Sequence, residues 1–280
     1  MTPAPRPTPL APLRGKTIGI VGAGTMGQAL IKGLLAHGVP RRALVAADSS
    51  APACARARRA FRIAVAGDAR ECLRRCDVLI LAVKPQQFPE LIAAIAPSLT
   101  RRHLVISIAA GMTLRWLQSR LRGVPVIRVM PNLPATVGCA FSAIVAGRGA
   151  SARDRAMARA VFGAVGEAAE VPERFFDAIT AVSGSGPAYV FFLVRAWEDA
   201  ARSLGLPPPI AASAVAQTLA GSVRLLQASG QPASALIGRV ASKGGTTEAA
   251  LQVLARHRVS SKLAQALKAA ARRSRELACS

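Results

Sequence analysis

The chain has 280 residues and a formal net charge of +23, and this length gives one large domain or two modest ones. Hydrophobic residues make up 51% of the chain, but no stretch of membrane-spanning length is free of Gly, Pro or charge, so no membrane partner is expected. The basic residues are scattered and aromatic residues amount to only 4%, so no nucleic-acid partner is expected.

The start of the chain and its cysteines add two expectations. Residues 1–14 alternate prolines with small residues and lack the apolar segment of a secretory signal, so we expect a disordered tail there. The five cysteines are odd in number and lack the paired spacing of a metal site, so no metal is expected. Reduced thiols of this kind are typical of a cytoplasmic protein.

The next part of the chain alternates strands and helices. A β-branched run at 16–21 precedes a glycine turn and an apolar-periodic helix that continues to about His37. Further strands are predicted at 43–47, 62–65, 77–83, 103–108, 124–129 and 140–146. Helical patterns between several of these strands predict a parallel, doubly wound sheet.

Beyond residue 147 the pattern becomes helical. Apolar residues at helical spacing predict helices at 151–163, 175–182, 187–204, 208–229, 246–256 and 260–277. No strand pattern returns after about Val171. The predicted fold class is therefore α/β, with a Rossmann-type domain at 15–172 and an all-α domain at 173–280, whose surplus apolar faces suggest a dimer.

The glycine turn has the spacing of a dinucleotide-binding loop. It consists of Gly22, Ala23, Gly24, Thr25, Met26 and Gly27, after a strand and before a helix. Asp48 follows the second strand and is suited to the ribose hydroxyls of NAD. Ser49 and nearby arginines are suited to the 2′-phosphate of NADP, so the choice between the two cofactors stays open.

Two other segments carry candidate binding residues. Lys84 follows the apolar strand at 77–83, which places it at the carboxyl edge of the sheet, where ligands of such folds bind. Residues 240–251 contain two glycines, two threonines and a helical pattern, but no His, Asp or Cys. Such a turn offers N–H groups to a small acid, although an ordinary threonine-capped helix start has the same pattern.

Together these segments resemble the pyrroline-5-carboxylate reductase family. The similarity runs through nearly the whole chain: residues 22–27, AVKPQ at 82–86, SIAAGMT at 107–113, RVMPNLPATVG at 128–138, DAITAVSGSGPAY at 177–189, SKGGTTEAAL at 242–251 and RRSREL at 272–277. The resemblance implies a Rossmann domain, a helical dimerisation domain, and reduction of 1-pyrroline-5-carboxylate to L-proline with NADPH or NADH. It also implies a homo-oligomer, a dimer that in the family often forms decamers.

The resemblance also implies roles for individual residues. Thr247 corresponds to the catalytic threonine that contacts the substrate, and the amides of Gly245, Thr246 and Thr247 to those that hold its carboxylate. Glu173 corresponds to a position near the nicotinamide and the substrate, and Lys243 adds a positive charge beside the carboxylate pocket. The cofactor-binding positions beyond the glycine loop are Asp48, Ser49, Ala82, Val83, Lys84, Pro85, Ala109, Ala110 and Gly111.

Three residues depart from the family pattern and leave alternatives open. Leu133 replaces a usual Thr, Lys243 a usual Pro, and Ala69 a common Asn. Two alternatives to this reaction stay open: a reductase of another cyclic imino acid, and a cofactor-binding sensor without turnover. A β-hydroxyacid dehydrogenase needs a catalytic lysine on the connecting helix, and residues 187–204 contain none.

Overall fold

The computed structural model describes residues 10–278, which divide into two compact units. One unit ends at Ser185 and also includes the stretch that starts at Ala270. The other unit is Gly186–Ala269.

The first unit is built on one sheet of eight strands. These are β1 Ile18–Val21, β2 Leu44–Ala47, β3 Ala64–Val65, β4 Val78–Leu81, β5 Leu104–Ser107, β6 Val126–Met130, β7 Ala140–Ala146 and β8 Gly166–Glu170. Their order is β3-β2-β1-β4-β5-β6-β7-β8. The sheet and the helices that follow it confirm the predicted class, a Rossmann-type α/β domain followed by an all-α domain.

Helices cover the sheet and bury its central strands. The helices of this unit are α1 Thr25–Ala36, α2 Ala51–Phe61, α3 Ala69–Arg74, α4 Phe88–Ile95, α5 Leu114–Arg120, α6 Ala152–Gly163 and α7 Phe176–Ile179. In β4, Val78 and Ile80 join one apolar cluster, whereas Leu79 and Leu81 join another. This alternation places one core on each face, as a parallel sheet with helices on both sides requires.

The sheet departs from the prediction at its far edge. An entirely parallel sheet is wrong, because β6 and β7 are antiparallel. Only residues 131–139 link these strands, and a parallel return needs a crossover of a dozen residues or more. The sequence also gave no sign of β8, which is parallel to β7, because its residues GEAAE include no β-branched or aromatic side chain.

The disordered tail predicted at 1–14 is too long. Residues 1–9 lie outside the described residues, so that part stays a prediction. Ala11–Leu13 form a 3₁₀ turn, and the Leu13 side chain is buried in the core of the first unit. An apolar side chain that packs on the core orders the backbone around it.

The second unit consists of helices with exposed apolar faces. Its helices are α8 Gly186–Ser203, α9 Pro208–Ser229, α10 Ala233–Val240, α11 Thr246–Arg256 and most of α12 Val259–Ala278. The sequence analysis missed α10, which has only eight residues. Large apolar side chains such as Phe191, Phe192 and Leu225 are exposed, as expected of helices that pack against another copy.

One helical stretch is long and apolar enough to cross a membrane, judged by length and composition alone. This stretch, Glu173–Ser203, has a mean hydropathy of 1.2, and 6% of its most apolar window is buried. It contains Gly184, Gly186 and Pro187.

A buried histidine lies at the start of β5. His103 is 2% exposed, and its Nδ1 accepts a hydrogen bond from the N–H of Thr100 at 3.0 Å. Its Nε2 has no partner among residues 10–278. Burial and the positive charge of Arg102 lower the pKa of His103 below its ordinary value of 6.5, although the Asp77 carboxylate opposes this shift.

We therefore expect acid to destabilise the fold through His103. The folded state binds its proton less readily than the unfolded chain, so the contribution is complete above pH 6.5 and is lost as the pH falls below it. The loss cannot exceed about 1.4 kcal/mol per pH unit, the value for one proton. Thermal unfolding at several pH values between 7 and 5 measures it. His103→Asn keeps an acceptor for Thr100 but cannot titrate, so an equally steep pH dependence in this variant would contradict the assignment.

Candidate functional site

The glycine loop leaves an open approach to the backbone at the start of α1. Gly22 follows β1 with a φ of +105°, and a Cβ there would lie 2.5 Å from the carbonyl oxygen of Ala82. A Cβ at Gly27 would overlap the carbonyl oxygen of Gly22. A Cβ at Gly24 would meet nothing within 4 Å. The fold therefore requires glycine at positions 22 and 27. At position 24 the lack of a side chain leaves space in front of the helix N-terminus, as a phosphate would need.

Asp48 accepts one hydrogen bond from this loop and one from the segment that follows β2. Its Oδ2 accepts from the N–H of Ala23 at 2.6 Å, and its Oδ1 accepts from the N–H of Ser50 at 2.8 Å. Ser50 caps α2 by accepting from the N–H of Ala53. Ser49 is exposed between them. The carboxylate therefore connects the end of β2 to the glycine loop, a bond that the sequence analysis did not foresee.

Three turns that are expected to bind the cofactor lie at the same edge of the sheet. Strand β1 pairs with β4, and β4 with β5, so Val21, Leu81 and Ser107 lie side by side. The glycine loop, residues 82–85 and residues 109–111 follow these strands directly. Lys84 is exposed at this edge, and its N–H donates to the side chain of Gln87.

Glu173 lies in a network of charged and polar groups. Its Oε1 accepts from Nη1 of Arg128 at 2.8 Å and from the N–H of Leu114 at 2.8 Å. Arg128 is 5% exposed in β6, and its guanidinium lies 4.5 Å from the ring centre of Phe176. Sequence reasoning assigned no role to Arg128, although a charged residue within the apolar strand VIRVM was a usable signal.

The loop after β6 contacts the helical segment that follows α7. Asn132 donates to the carbonyl oxygen and the hydroxyl of Ser183, and its own oxygen accepts from the N–H of Phe141. Ser183 belongs to a π-helical turn, Thr180–Gly184, a feature found often at functional sites. The departing residue Leu133 is 47% exposed in this loop.

The turn at residues 242–245 leads into α11, whose N-terminus has no side-chain cap. The N-cap is Gly245, and a Cβ there would overlap Oγ of Ser242. Gly244 has a φ of +71°. Because the N-cap is a glycine, the interpretation of this segment as a threonine-capped helix is wrong. The first N–H groups of an α-helix have no partner within the helix, so those of α11 are suited to an anion.

The turn also shows which groups are already engaged. The sequence analysis expected the N–H of Gly245 to be available for a carboxylate. In the structure this N–H donates to the carbonyl oxygen of Ser242 at 3.0 Å. The N–H of Gly244 donates to the Glu248 carboxylate. Thr247 is half-buried, whereas Thr246 and Lys243 are exposed.

The fold and the glycine loop define a class, the Rossmann-type oxidoreductases that bind a nicotinamide dinucleotide. In agreement, residues 17–111 match the family model described as NADP oxidoreductase, coenzyme F420-dependent. Residues 173–277 match the model of the pyrroline-5-carboxylate reductase dimerisation domain, which supports a homo-oligomer.

Individual relatives specify the family. A pyrroline-5-carboxylate reductase of Synechocystis is 38% identical over 265 residues, which cover 93% of this chain and 97% of the relative. The solved structure of the Coxiella burnetii pyrroline-5-carboxylate reductase has a TM-score of 0.88 and 31% identity, covering 94% of this chain and 98% of that one. Pyrroline carboxylate reductase of Plasmodium falciparum, solved with NADP bound, has a TM-score of 0.86 and 27% identity over 94% and 98%. This chain belongs to the pyrroline-5-carboxylate reductase family.

Proposed function

We propose that this protein reduces 1-pyrroline-5-carboxylate to L-proline with NADPH or NADH. The observation that carries the proposal is the turn before α11, which offers N–H groups and a threonine hydroxyl but no His or Asp, while the nearby Glu248 carboxylate accepts from the N–H of Gly244. A hydroxy-acid dehydrogenase needs a strong base such as His. An imine does not, because its nitrogen protonates near neutral pH and the carbon of the protonated C=N bond then accepts a hydride readily.

The first unit supplies the cofactor site. The residues present fit a dinucleotide, since Gly24 leaves the approach to the helix open and Asp48 fixes the loop. When bound, the reduced nicotinamide supplies the hydride. The chain contributes orientation: the loop at 22–27 holds the pyrophosphate, and residues 82–85 and 109–111 line the site toward the nicotinamide.

The turn before α11 supplies the substrate site. The amides of Thr246 and Thr247 hold the carboxylate at the helix N-terminus. Gly245 precedes them at the N-cap, where a Cβ would overlap Oγ of Ser242. Lys243 adds a positive charge to this pocket. The hydroxyl of Thr247 donates a hydrogen bond at the ring nitrogen. For Glu173, in the first unit, the family resemblance implies a position near the nicotinamide and the substrate.

A spectrophotometric assay with both cofactors tests the proposal. Oxidation of NADPH or NADH should depend on added 1-pyrroline-5-carboxylate and yield L-proline. Faster turnover with a ring-expanded cyclic imino acid would favour the paralogous reductase. Binding of the cofactor without any turnover would favour the sensor and overturn the proposed reaction.

The assembly and the location of the protein complete the proposal. The exposed apolar side chains of the second unit are suited to pair with another copy, and we propose a dimer that assembles further into a decamer in the cytoplasm. Light scattering at micromolar concentration distinguishes a dimer from a decamer by mass.

Asp48 is the residue we expect to limit the use of NADPH. Its charge lies at the end of β2, where a 2′-phosphate would be repelled. Asp48→Asn removes the charge but keeps an acceptor for the Ala23 N–H, so the ratio of kcat/KM for NADPH over NADH should rise about five- to tenfold, the effect of one solvated charge at contact distance. Side-by-side kinetics measure the ratio. An unchanged ratio would show that the carboxylate serves the loop alone.

A further inference from the structure

Arg128 is a buried cation held by a single carboxylate. It lies in β6 among apolar residues, and its side chain is 6% exposed. Its Nη1 lies 2.8 Å from Oε1 of Glu173, and its guanidinium stacks on the Phe176 ring. A buried charge that loses its partner is strongly unfavourable, so Arg128 fixes the orientation of the Glu173 side chain.

The same carboxylate oxygen reaches a third element. Oε1 of Glu173 accepts from the N–H of Leu114, the first residue of α5. This residue directly follows the turn at 109–113, and Thr113 caps the same helix end by accepting from the N–H of Trp116. A negative charge at this position also favours the positive end of the helix.

We propose that Arg128 is a positioning residue for the cofactor turn at residues 109–113. It acts through Glu173, whose Oε1 ties the start of α5 to β6 and thereby sets the turn at the carboxyl edge of the sheet. The ion pair and the bond to Leu114 both use Oε1 of Glu173. This inference rests on the proposed function only for its kinetic readout, because its binding readout needs no substrate.

The expected effect differs from that of an ordinary stabilising ion pair. Arg128→Met fills a similar volume but frees the Glu173 carboxylate from β6. We expect the Kd for NADPH and its KM to rise about tenfold, since small misplacements of positioning groups have effects of this order or larger. The control is Arg159→Met, which removes an exposed ion pair with Glu170 in the same unit and should change neither constant.

A double-variant cycle shows whether Arg128 acts through Glu173. Glu173→Gln keeps an acceptor for Leu114 but loses the charge. If both residues act as a unit, Arg128→Met combined with Glu173→Gln should raise the Kd for NADPH no further than Arg128→Met alone. Additive increases would overturn the inference. Arg128→Lys, which retains a cation within reach of Glu173, should recover part of the affinity.

Three measurements make the outcome decisive. Fluorescence titration gives the Kd for NADPH, steady-state kinetics separate KM from kcat, and thermal unfolding reports stability. A lower Tm with an unchanged Kd for NADPH would mean a purely structural role and overturn the proposal. If Arg128→Met does not fold, Glu173→Gln decides by the same Kd: it removes the charge through which Arg128 acts, and an unchanged Kd for NADPH in it overturns the proposal. A wild-type protein without turnover would refute the proposed reaction, while the titration would still test the positioning role.

Discussion

Replacing Gly24 by valine should abolish cofactor binding while leaving the fold intact. The backbone of Gly24 is extended, with a φ of −75°, and a Cβ there meets nothing within 4 Å. A valine side chain therefore fits the unliganded protein but fills the space that the pyrophosphate needs. We expect the Kd for both NADPH and NADH to rise at least about 100-fold, or about 2.7 kcal/mol of binding free energy.

The matched comparison for this variant is Gly27→Val in the same loop. A Cβ at Gly27 overlaps the carbonyl oxygen of Gly22, so this variant should lose stability first and binding only as a consequence. Fluorescence titration and thermal unfolding of both proteins separate the two effects. Normal cofactor affinity in the well-folded Gly24→Val protein would refute the loop as the pyrophosphate site.

The parts of the fold that the sequence predicted are those with strong local patterns. Strands such as β4 are continuous apolar runs, and helices such as α9 have apolar residues at helical spacing, so their positions followed from periodicity. The direction of β7 depends on the length of the preceding link, and β8 exists because it pairs with β7 rather than because of its own residues. Such long-range pairing leaves little signal in the local sequence.

The candidate site also has parts that the sequence predicted and parts that it did not. The glycine loop and the turn before α11 were found because backbone geometry limits which residues fit there, and Gly22 and Gly245 show that limit directly. The Asp48 bond to Ala23 and the Arg128 pair with Glu173 join positions 25 and 45 residues apart. The spacing of the dinucleotide-binding pattern predicts a ribose contact for Asp48 rather than a bond to Ala23, and no spacing rule connects Arg128 with Glu173. Only the structure therefore shows these two bonds.

Thr247→Ala should lower turnover by about one to two orders of magnitude, because one hydrogen bond that strengthens in the transition state contributes a few kcal/mol at most. Thr247 lies in the first turn of α11, and we propose that its amide binds the carboxylate and its hydroxyl the ring nitrogen. The alanine variant keeps the amide and loses only the hydroxyl. We therefore expect kcat to fall with a small change in KM, and the Kd for NADPH to stay unchanged because the glycine loop belongs to the other unit.

Two further variants isolate the hydroxyl of Thr247. Thr247→Ser retains it and should recover most of the turnover, whereas Thr218→Ala, an exposed threonine on α9, should behave as the wild type. Because the imine nitrogen protonates near neutral pH, the deficit of Thr247→Ala should also grow as the pH rises, when fewer substrate molecules carry the proton that the hydroxyl helps to retain. Steady-state kinetics between pH 6 and pH 9 measure this. Turnover equal to that of the wild type across this range would remove Thr247 from the mechanism and leave orientation by the amides of the turn as the contribution of α11.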